Sequence, residues 1–325
     1  MHTKYHALIG AASASAITVP NPKPILSVSP VVLPFPKRRV PLELRVTVPT
    51  IGTALPIILF SHGHGPSNSL SSLEGYAPLA EFWAAHGFAV MQPTHLSSRF
   101  LGLEAPQGQE LFYQERAEDM VRILDSLQDI EAAVPELTGR LDRSRVAVAG
   151  HSLGAWTTSM LLGASNTDPR DGSHWHKPEP RIRAGLILAG TGSGADISAP
   201  GRTHRIPFYG ADFSTMKTPA LVVYGDEDVS THFTVRGADW HADPYSLAPG
   251  PKDLLTLAGA KHGLGGLSGW DTAEADDESP ERLAIVQRMT WAYLRSQLYQ
   301  DDPAWAEACK SFAGLQGQGA VESKC

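Results

Sequence analysis

The sequence predicts an α/β fold in which helices flank a mostly parallel, doubly wound sheet. Short apolar segments alternate with helical segments along the chain, and this alternation is typical of a parallel sheet. Residues 146–149, Val-Ala-Val-Ala, are small or β-branched, which suits a strand buried on both faces. We find no repeat and no linker, so we expect one domain at 25–298, an N-terminal extension at 1–24 and a C-terminal tail at 299–325.

Composition excludes several classes of protein. Of the 325 residues, 42% are hydrophobic and 19% charged, as in soluble globular proteins. A net charge of −7 argues against a nucleic-acid partner, and no apolar run approaches the roughly 20 residues that cross a bilayer. The apolar residues 7–16 leave a weak signal peptide open, but a cytoplasmic location is favoured. Cys309 and Cys325 are expected as free thiols, with pairing left open.

The first half of the domain supplies four predicted strands and one predicted helix. Residues 25–33 and 40–48 form two strands, and the second alternates apolar with polar residues, as expected for an antiparallel strand near a sheet edge. Residues 56–60 form a short apolar strand. A helix at 76–86 leads to a buried strand at 88–91.

The second half continues the alternation with longer connections. A long amphipathic helix is predicted at 110–130, and a closing helix begins at Pro280 after the N-cap residue Ser279. The remaining predicted elements are strands at 184–188, 220–224 and 253–257, and polar excursions at 164–180 and 229–251.

The strongest motif is Gly150-His151-Ser152-Leu153-Gly154, which fits G-x-S-x-G between a strand and a helix. Such a turn forces the serine into a strained backbone conformation and brings the chain so close to itself that only glycine fits two residues away. Ser152 is then exposed above the strand, and the amide of Leu153 points at the same place. A chance match among 30 glycines is the alternative, which the strand and helix flanks disfavour.

Two further residues follow later strands. Asp228 lies in the turn after 220–224, and His262 follows 253–257, so both are expected in the same crevice as Ser152. Histidine can take the serine proton, and a carboxylate on its other nitrogen fixes the tautomer. Each residue alone could be a surface residue. Asp226 and Asp196 remain alternative acids, and Asp226 is expected instead to hold its turn by accepting backbone N–H groups.

At this point the chain resembles the α/β-hydrolase superfamily over about residues 25–298. The segments PIILFSHGHGPSN, EFWAAHGFAVMQPTH and RAEDMVRILDSL before GHSLG are similar to the chlorophyllase, platelet-activating-factor acetylhydrolase and dienelactone-hydrolase-like group. The resemblance implies an eight-stranded sheet and ester hydrolysis without a cofactor. It implies Ser152 as nucleophile, His262 as base and Asp228 as acid.

The same resemblance implies an oxyanion hole made of two backbone N–H groups, those of Leu153 and His64. Gly65 remains open as the second donor instead of His64. Dienelactone hydrolases carry cysteine where this chain has Ser152, so their lactone substrate is not implied.

Aromatic residues near the strand ends are candidates for a substrate pocket, with core or loop packing as the alternative for each. These are Phe100, Trp156, Trp175, Trp240 and Tyr245. Asp171, His174 and His176 lack a strong fourth ligand, so we expect a surface loop there and no metal site.

The sequence therefore predicts a serine hydrolase that cleaves a small, neutral or weakly polar carboxylic ester through an acyl-enzyme. The same residues would serve a lactone, thioester or amide. A hydrolase-fold receptor or binding protein with little turnover is the alternative from another class. The sequence does not determine the exact substrate or the oligomeric state.

Overall fold

A computed structural model describes residues 13–65, 67–269 and 277–325. The residues 1–12, which include most of the segment considered as a signal peptide, lie outside this description. The main sheet has nine strands. They are β1 (Ile25–Leu33), β2 (Leu42–Pro49), β3 (Leu55–Ser61), β4 (Ala89–Pro93), β5 (Leu141–His151), β8 (Ile182–Leu188), β10 (Ala220–Gly225), β11 (Lys252–Leu257) and β12 (Gly319–Lys324). A small second sheet contains β6 (Ser165–Thr167), β7 (His174–Trp175) and β9 (Ala211–Asp212).

The strand order confirms the predicted mixed sheet with a parallel centre. It runs β1-β2-β4-β3-β5-β8-β10-β11-β12. The pairs from β4 to β11 are parallel, whereas β1, β2 and β12 pair antiparallel with their neighbours. The register between β1 and β2 shifts between Val28 and Val31, around Pro30, which has no N–H to donate.

Helices cover both faces of the sheet, as a doubly wound fold requires. The α-helices are α1 (Ala77–Ala85), α2 (Tyr113–Asp125), α3 (Leu127–Ala133), α4 (Leu153–Leu161), α5 (Asp243–Ser246), α6 (Pro280–Leu298) and α7 (Ala304–Ala313). One buried apolar cluster joins the sheet to α2, α3 and α4, and a second joins it to α1, α6 and α7. None of these helices is long and apolar enough to cross a membrane.

The chain after residue 298 holds ordered structure that the sequence analysis did not predict. Helix α7 packs on α6, and β12 pairs with β11 from Lys252↔Lys324 to Leu257↔Gly319. The sheet therefore has nine strands, one more than the eight expected. Four of the six residues of β12 are exposed, and its sequence GAVESK lacks the alternation of apolar and polar residues that indicates a strand.

The predicted helix at 110–130 forms only in part, because the backbone leaves helical geometry at two places within it. Leu111 and Phe112 have positive φ, 57° and 50°, so the α-helix begins only at Tyr113. Ser126 leaves helical geometry, with φ −107° and ψ 17°, and α3 starts after it. The apolar periodicity continues across these positions and therefore did not reveal the breaks.

Candidate active site

Ser152 lies at the sharp turn between β5 and α4. Its φ of 55° and ψ of −119° lie in a region that residues with a side chain rarely adopt. A Cβ on Gly150 would lie 2.1 Å from the carbonyl oxygen of Gly154, and a Cβ on Gly154 would lie 1.9 Å from that of Ser61. Both positions therefore accept only glycine, for the steric reason that the sequence analysis gave.

Asp228 and His262 lie in two turns that are held together at the ends of β10 and β11. A Cβ on Gly225 would lie 2.0 Å from the carbonyl oxygen of Ala260, so the two chain segments approach as closely as glycine permits. The N–H of Glu227 donates to the same Ala260 oxygen over 3.0 Å. This contact fixes the distance between the acidic turn and the histidine loop.

The side chains of Asp228 and His262 form a hydrogen bond. His262 Nδ1 lies 2.8 Å from Asp228 Oδ2, and because a carboxylate only accepts, Nδ1 carries the proton. The Asp228 side chain is 3% exposed and that of His262 is 41% exposed. Burial acts to raise the pKa of the Asp228 carboxyl, but His262 and His241 outweigh burial and hold it well below its usual value. Asp228 is therefore ionised.

His241 is a second histidine beside Asp228, and it was not among the predicted site residues. His241 Nε2 lies 3.4 Å from Asp228 Oδ2, while Nδ1 lies 2.5 Å from the carbonyl oxygen of Gly190. The residue belongs to a short 3-10 helix, Ala238–Ala242, within the predicted excursion 229–251. The sequence placed it near the strand ends, but its contact with Asp228 depends on the folded loop.

The two other acids considered from the sequence have different partners. Asp226 accepts the N–H of Gly259 at Oδ1 over 2.7 Å, so it holds the turn as expected. Asp196 lies 3.1 Å from Arg236 Nη1, in an ion pair outside the contact between Asp228 and His262.

The loop that carries His64 is held by buried side chains. The N–H of Gly63 donates to the hydroxyl of Tyr76 over 3.0 Å, and His62 Nδ1 donates to the Gly63 carbonyl over 2.7 Å. Arg116 donates to the carbonyl oxygen of His62. These three contacts fix the peptide group between His62 and Gly63 and the one between Gly63 and His64, and the second contains the N–H of His64.

Tyr76 also connects this loop to the histidine loop through His151. Its hydroxyl lies 2.9 Å from His151 Nδ1, and His151 Nε2 donates to the carbonyl oxygen of His262 over 2.8 Å. Burial lowers the pKa of His151 to about 3, so its ring is neutral at neutral pH. This neutral ring therefore fixes the backbone of His262.

A further buried network lies behind the loop. His95 Nδ1 lies 3.0 Å from Asp119 Oδ2, and His95 Nε2 lies 3.0 Å from Ser61 Oγ. Arg116 also donates to Ser61 Oγ over 3.1 Å. Burial lowers the pKa of the Arg116 guanidinium to about 9, and it lowers the pKa of His95 well below the ordinary value. The network fixes the position of the strand end beside Ser152.

These residues surround one cavity of about 490 Å³. Ser152, Leu153, His64, Asp228 and His262 all line it, so the structure brings the five predicted residues to one place. Its apolar wall includes Leu111, Ile206, Phe208, Tyr209, Val229 and Phe233, and Arg205, His232 and Lys261 also line it.

The five predicted pocket aromatics divide between the cavity and other positions. Trp156 and Trp240 line the cavity. Phe100, at 64% exposed, lies beside a separate depression that Ser69 and Thr94 also line. Trp175 is buried in β7 of the small sheet, and the ring of Tyr245 lies under Lys324 at 4.9 Å. Three of the five are therefore placed by packing and do not line the cavity.

The loop residues considered for a metal have local partners. His174 Nδ1 lies 3.0 Å from Thr167 Oγ1, and His176 Nε2 lies 3.2 Å from the carbonyl oxygen of Gly163. Asp171 accepts the N–H of Ser173. Within the described ranges, the residue types that bind metals converge at a different place, Asp228, His241 and His262.

The sheet order and the flanking helices are those of the α/β-hydrolase fold, and similar proteins indicate the same superfamily. Cutinase 2 of Thermobifida cellulosilytica is 29% identical over 199 residues, which cover 54% of this chain and 68% of that protein. Cutinase cut1 of Thermobifida fusca is also 29% identical over 199 residues, and the match covers 56% of its length. No family model matches the chain. The similarity supports an ester hydrolase as the general class.

Proposed function

We propose that this protein is a serine hydrolase that cleaves carboxylic esters through an acyl-enzyme on Ser152. The observation that carries the proposal is that Ser152, on its strained turn, lines the same cavity as the hydrogen-bonded pair of Asp228 and His262. A serine, a carboxylate and a histidine in this chain order are the groups that the superfamily uses for acyl transfer. The similar proteins are cutinases, which are carboxylic-ester hydrolases.

The proposed acylation begins with neutral His262. Its Nδ1 carries the proton shared with Asp228, so Nε2 is available to take the proton of the Ser152 hydroxyl. Oγ of Ser152 then attacks the ester carbonyl carbon, and the carbonyl oxygen becomes negatively charged. The ionised Asp228 stabilises the imidazolium that forms.

The negative oxygen is proposed to accept hydrogen bonds from the backbone N–H groups of Leu153 and His64. Leu153 begins α4, where the helix dipole favours negative charge. His262 returns the proton to the leaving alcohol, and water repeats the sequence to release the acid. The buried partners of Gly63 would keep the N–H of His64 in place during both steps.

The cavity supports neutral esters of short to medium chain as substrates. Its volume of about 490 Å³ is in the range of small-molecule sites, and ten of the 21 residues that line it are apolar or aromatic. The narrower resemblance to the chlorophyllase, platelet-activating-factor acetylhydrolase and dienelactone-hydrolase-like group stays a prediction. A lactone or thioester would use the same residues.

A fluorophosphonate probe tests this proposal directly. We expect one covalent adduct, on Ser152, and a loss of roughly 10⁶ in kcat in Ser152→Ala. Ser230 lines the same cavity and provides the matched control. Ser230→Ala should still be labelled and should still hydrolyse p-nitrophenyl esters. An adduct on Ser230, or full activity in Ser152→Ala, would contradict the proposal. Labelling without turnover of any ester would favour a binding protein instead.

A further inference from the structure

Three potential metal-ligating atoms converge on one side of the cavity. Asp228 Oδ2, His241 Nε2 and His262 Nδ1 all lie within 4.8 Å of one another. Oδ2 lies 2.8 Å from the His262 atom and 3.4 Å from the His241 atom. Ligand atoms around a tetrahedral zinc ion at about 2.0–2.2 Å are about 3.3 Å apart. The 3.4 Å separation matches this distance, and the 2.8 Å separation, which is now a hydrogen bond, is about 0.5 Å shorter.

The hydrogen bonding of His241 directs a lone pair toward this point. Its Nδ1 lies 2.5 Å from the Gly190 carbonyl oxygen, which can only accept, so Nδ1 carries the proton. In the neutral ring Nε2 is then the unprotonated nitrogen, and it lies 3.4 Å from Asp228 Oδ2 and 3.3 Å from the hydroxyl oxygen of Ser230, which zinc would displace. Histidines that bind zinc usually donate their other N–H to a backbone carbonyl or carboxylate in this way.

A metal ion can reach this position from the cavity. Asp228, His241 and His262 are all lining residues, and the His262 side chain is 41% exposed. The buried carboxylate of Asp228 supplies the negative charge, and two imidazoles with one carboxylate form a known ligand set for zinc with an open fourth position.

We propose that Asp228, His241 and His262 bind Zn²⁺ and that the bound ion switches off ester hydrolysis. The inhibitory part rests on the proposed function, whereas binding does not. In hydrolysis, His262 Nδ1 holds a proton and Nε2 accepts one from Ser152. Zinc takes the lone pair of Nδ1, so the ring proton moves to Nε2 and the ring stays neutral. Nε2 then cannot accept the serine proton.

Metal binding is measured first, in protein treated with a chelator and dialysed. We expect Co²⁺ to bind with the visible absorption of a four-coordinate site, and Zn²⁺ to displace it at one equivalent. Removal of a residue that hydrogen-bonds to a metal ligand typically lowers metal affinity about 10–100-fold. Loss of the ligand itself in His241→Gln should therefore lower the affinity more than about 100-fold. The matched control His174→Gln, at an exposed histidine on β7, should bind Co²⁺ as the unchanged protein does.

Inhibition is measured in the same proteins. Zn²⁺ should abolish the hydrolysis of a p-nitrophenyl ester and a chelator should restore it, both in the unchanged protein and in His174→Gln. The concentration for half inhibition, taken relative to each protein's own metal-free activity, should rise more than about 100-fold in His241→Gln. If the metal-free activity of His241→Gln is too low to measure, Co²⁺ binding alone tests the proposed site.

The two proposals fail in different ways. A protein that reacts with fluorophosphonate and hydrolyses esters, yet shows no Co²⁺ absorption, overturns the zinc site and leaves the proposed function intact. The same holds if Co²⁺ binds equally well to His241→Gln. A protein that binds Co²⁺ through His241 but neither reacts with the probe nor hydrolyses an ester supports the site and contradicts the proposed function.

Discussion

Two groups of histidines lie near the turn at Ser152. Behind the turn, His62, His95 and His151 are buried, and their ring nitrogens meet a backbone group, a hydroxyl or a carboxylate. Facing the cavity, His241 and His262 share one carboxylate oxygen of Asp228. The residue type is the same, but the number and kind of partners differ.

The difference in partners separates histidines that support the structure from histidines that can take part in the proposed reaction. For His62, one nitrogen donates to a carbonyl and the other accepts an N–H, so the pattern fits only the neutral ring. Burial lowers its pKa well below the ordinary value, as it does for His95 and His151. His95 also meets a buried carboxylate, that of Asp119, but the positive charges of Arg116 and Arg38 add to burial and its pKa stays low. His262 faces the buried carboxylate of Asp228 with 41% of its own side chain exposed, and this anion stabilises the charged ring. The comparison indicates that partners, and not burial alone, decide what each histidine does.

Among changes to the histidines and their partners, the largest expected effect comes from neutralising the shared carboxylate. Asp228→Asn should lower kcat by about three to four orders of magnitude, because the amide favours the wrong tautomer of His262. The melting temperature should stay nearly unchanged. Steady-state kinetics with a p-nitrophenyl ester and a thermal melt test both statements.

Asp226→Asn is the matched control for that variant. Asp226 accepts the N–H of Gly259, so its replacement should mainly lower the melting temperature and leave kcat within about tenfold. If the two variants exchanged behaviour, Asp226 would be the acid. Two mild variants would contradict the pairing of Asp228 with His262 as the functional one.

The buried histidines should make the protein sensitive to acid. Their folded-state pKa values lie below the unfolded value of about 6.5, so the unfolded chain binds protons that the folded chain excludes. Stability is therefore complete above about pH 6.5 and falls as the pH decreases toward the folded values. Near pH 5.5, the three buried histidines together lower the free energy of unfolding by about 4 kcal/mol for each unit by which the pH falls. Urea unfolding at several pH values measures the slope.

The variant His95→Gln tests this prediction at a single histidine. The variant removes one of the three proton-binding sites from the unfolded chain, so the slope should fall by about 1.4 kcal/mol per pH unit. An unchanged slope would show that His95 does not take up a proton on unfolding. Asp119, whose carboxyl pKa burial raises, acts in the opposite direction at lower pH, so the measurement belongs between about pH 5 and 6.5.

The smallest effect concerns the apolar wall of the cavity. Phe233 lines the cavity, whereas Val235, two residues along the same loop, is 76% exposed and does not. Phe233→Ala should lower kcat/KM for a hexanoate ester relative to an acetate ester by about tenfold, because apolar contact with the longer chain is lost. Val235→Ala should leave that ratio unchanged. Equal effects would show that Phe233 does not contact the acyl chain.

The parts of the site that the sequence predicted are those with local signals. The turn at Ser152 depends on Gly150 and Gly154, and both close contacts are visible in one short motif. Asp228 and His262 follow apolar strands directly, so a parallel sheet brings them together whatever the loops do. Asp226 was predicted to hold its turn because short acidic side chains commonly do.

The parts that it did not predict depend on contacts between distant segments. His241 reaches Asp228 only because its loop folds back over the end of β10. Trp175 and Tyr245 have the composition of pocket residues, but the small sheet and Lys324 decide their positions. Strand β12 has no apolar–polar alternation that would distinguish it from a loop, and its pairing with β11 joins segments about 70 residues apart.

The two outer strands of the main sheet also bear on how the protein resists aggregation. An open strand edge offers unpaired N–H and C=O groups to another chain. On one side β1 bends at the register shift around Pro30, a residue without an N–H. On the other, β12 places Glu322 and Lys324 along the outermost strand. Proline, a bulge and charge each hinder the addition of a further strand, so both ends of this large sheet are protected against edge-to-edge growth.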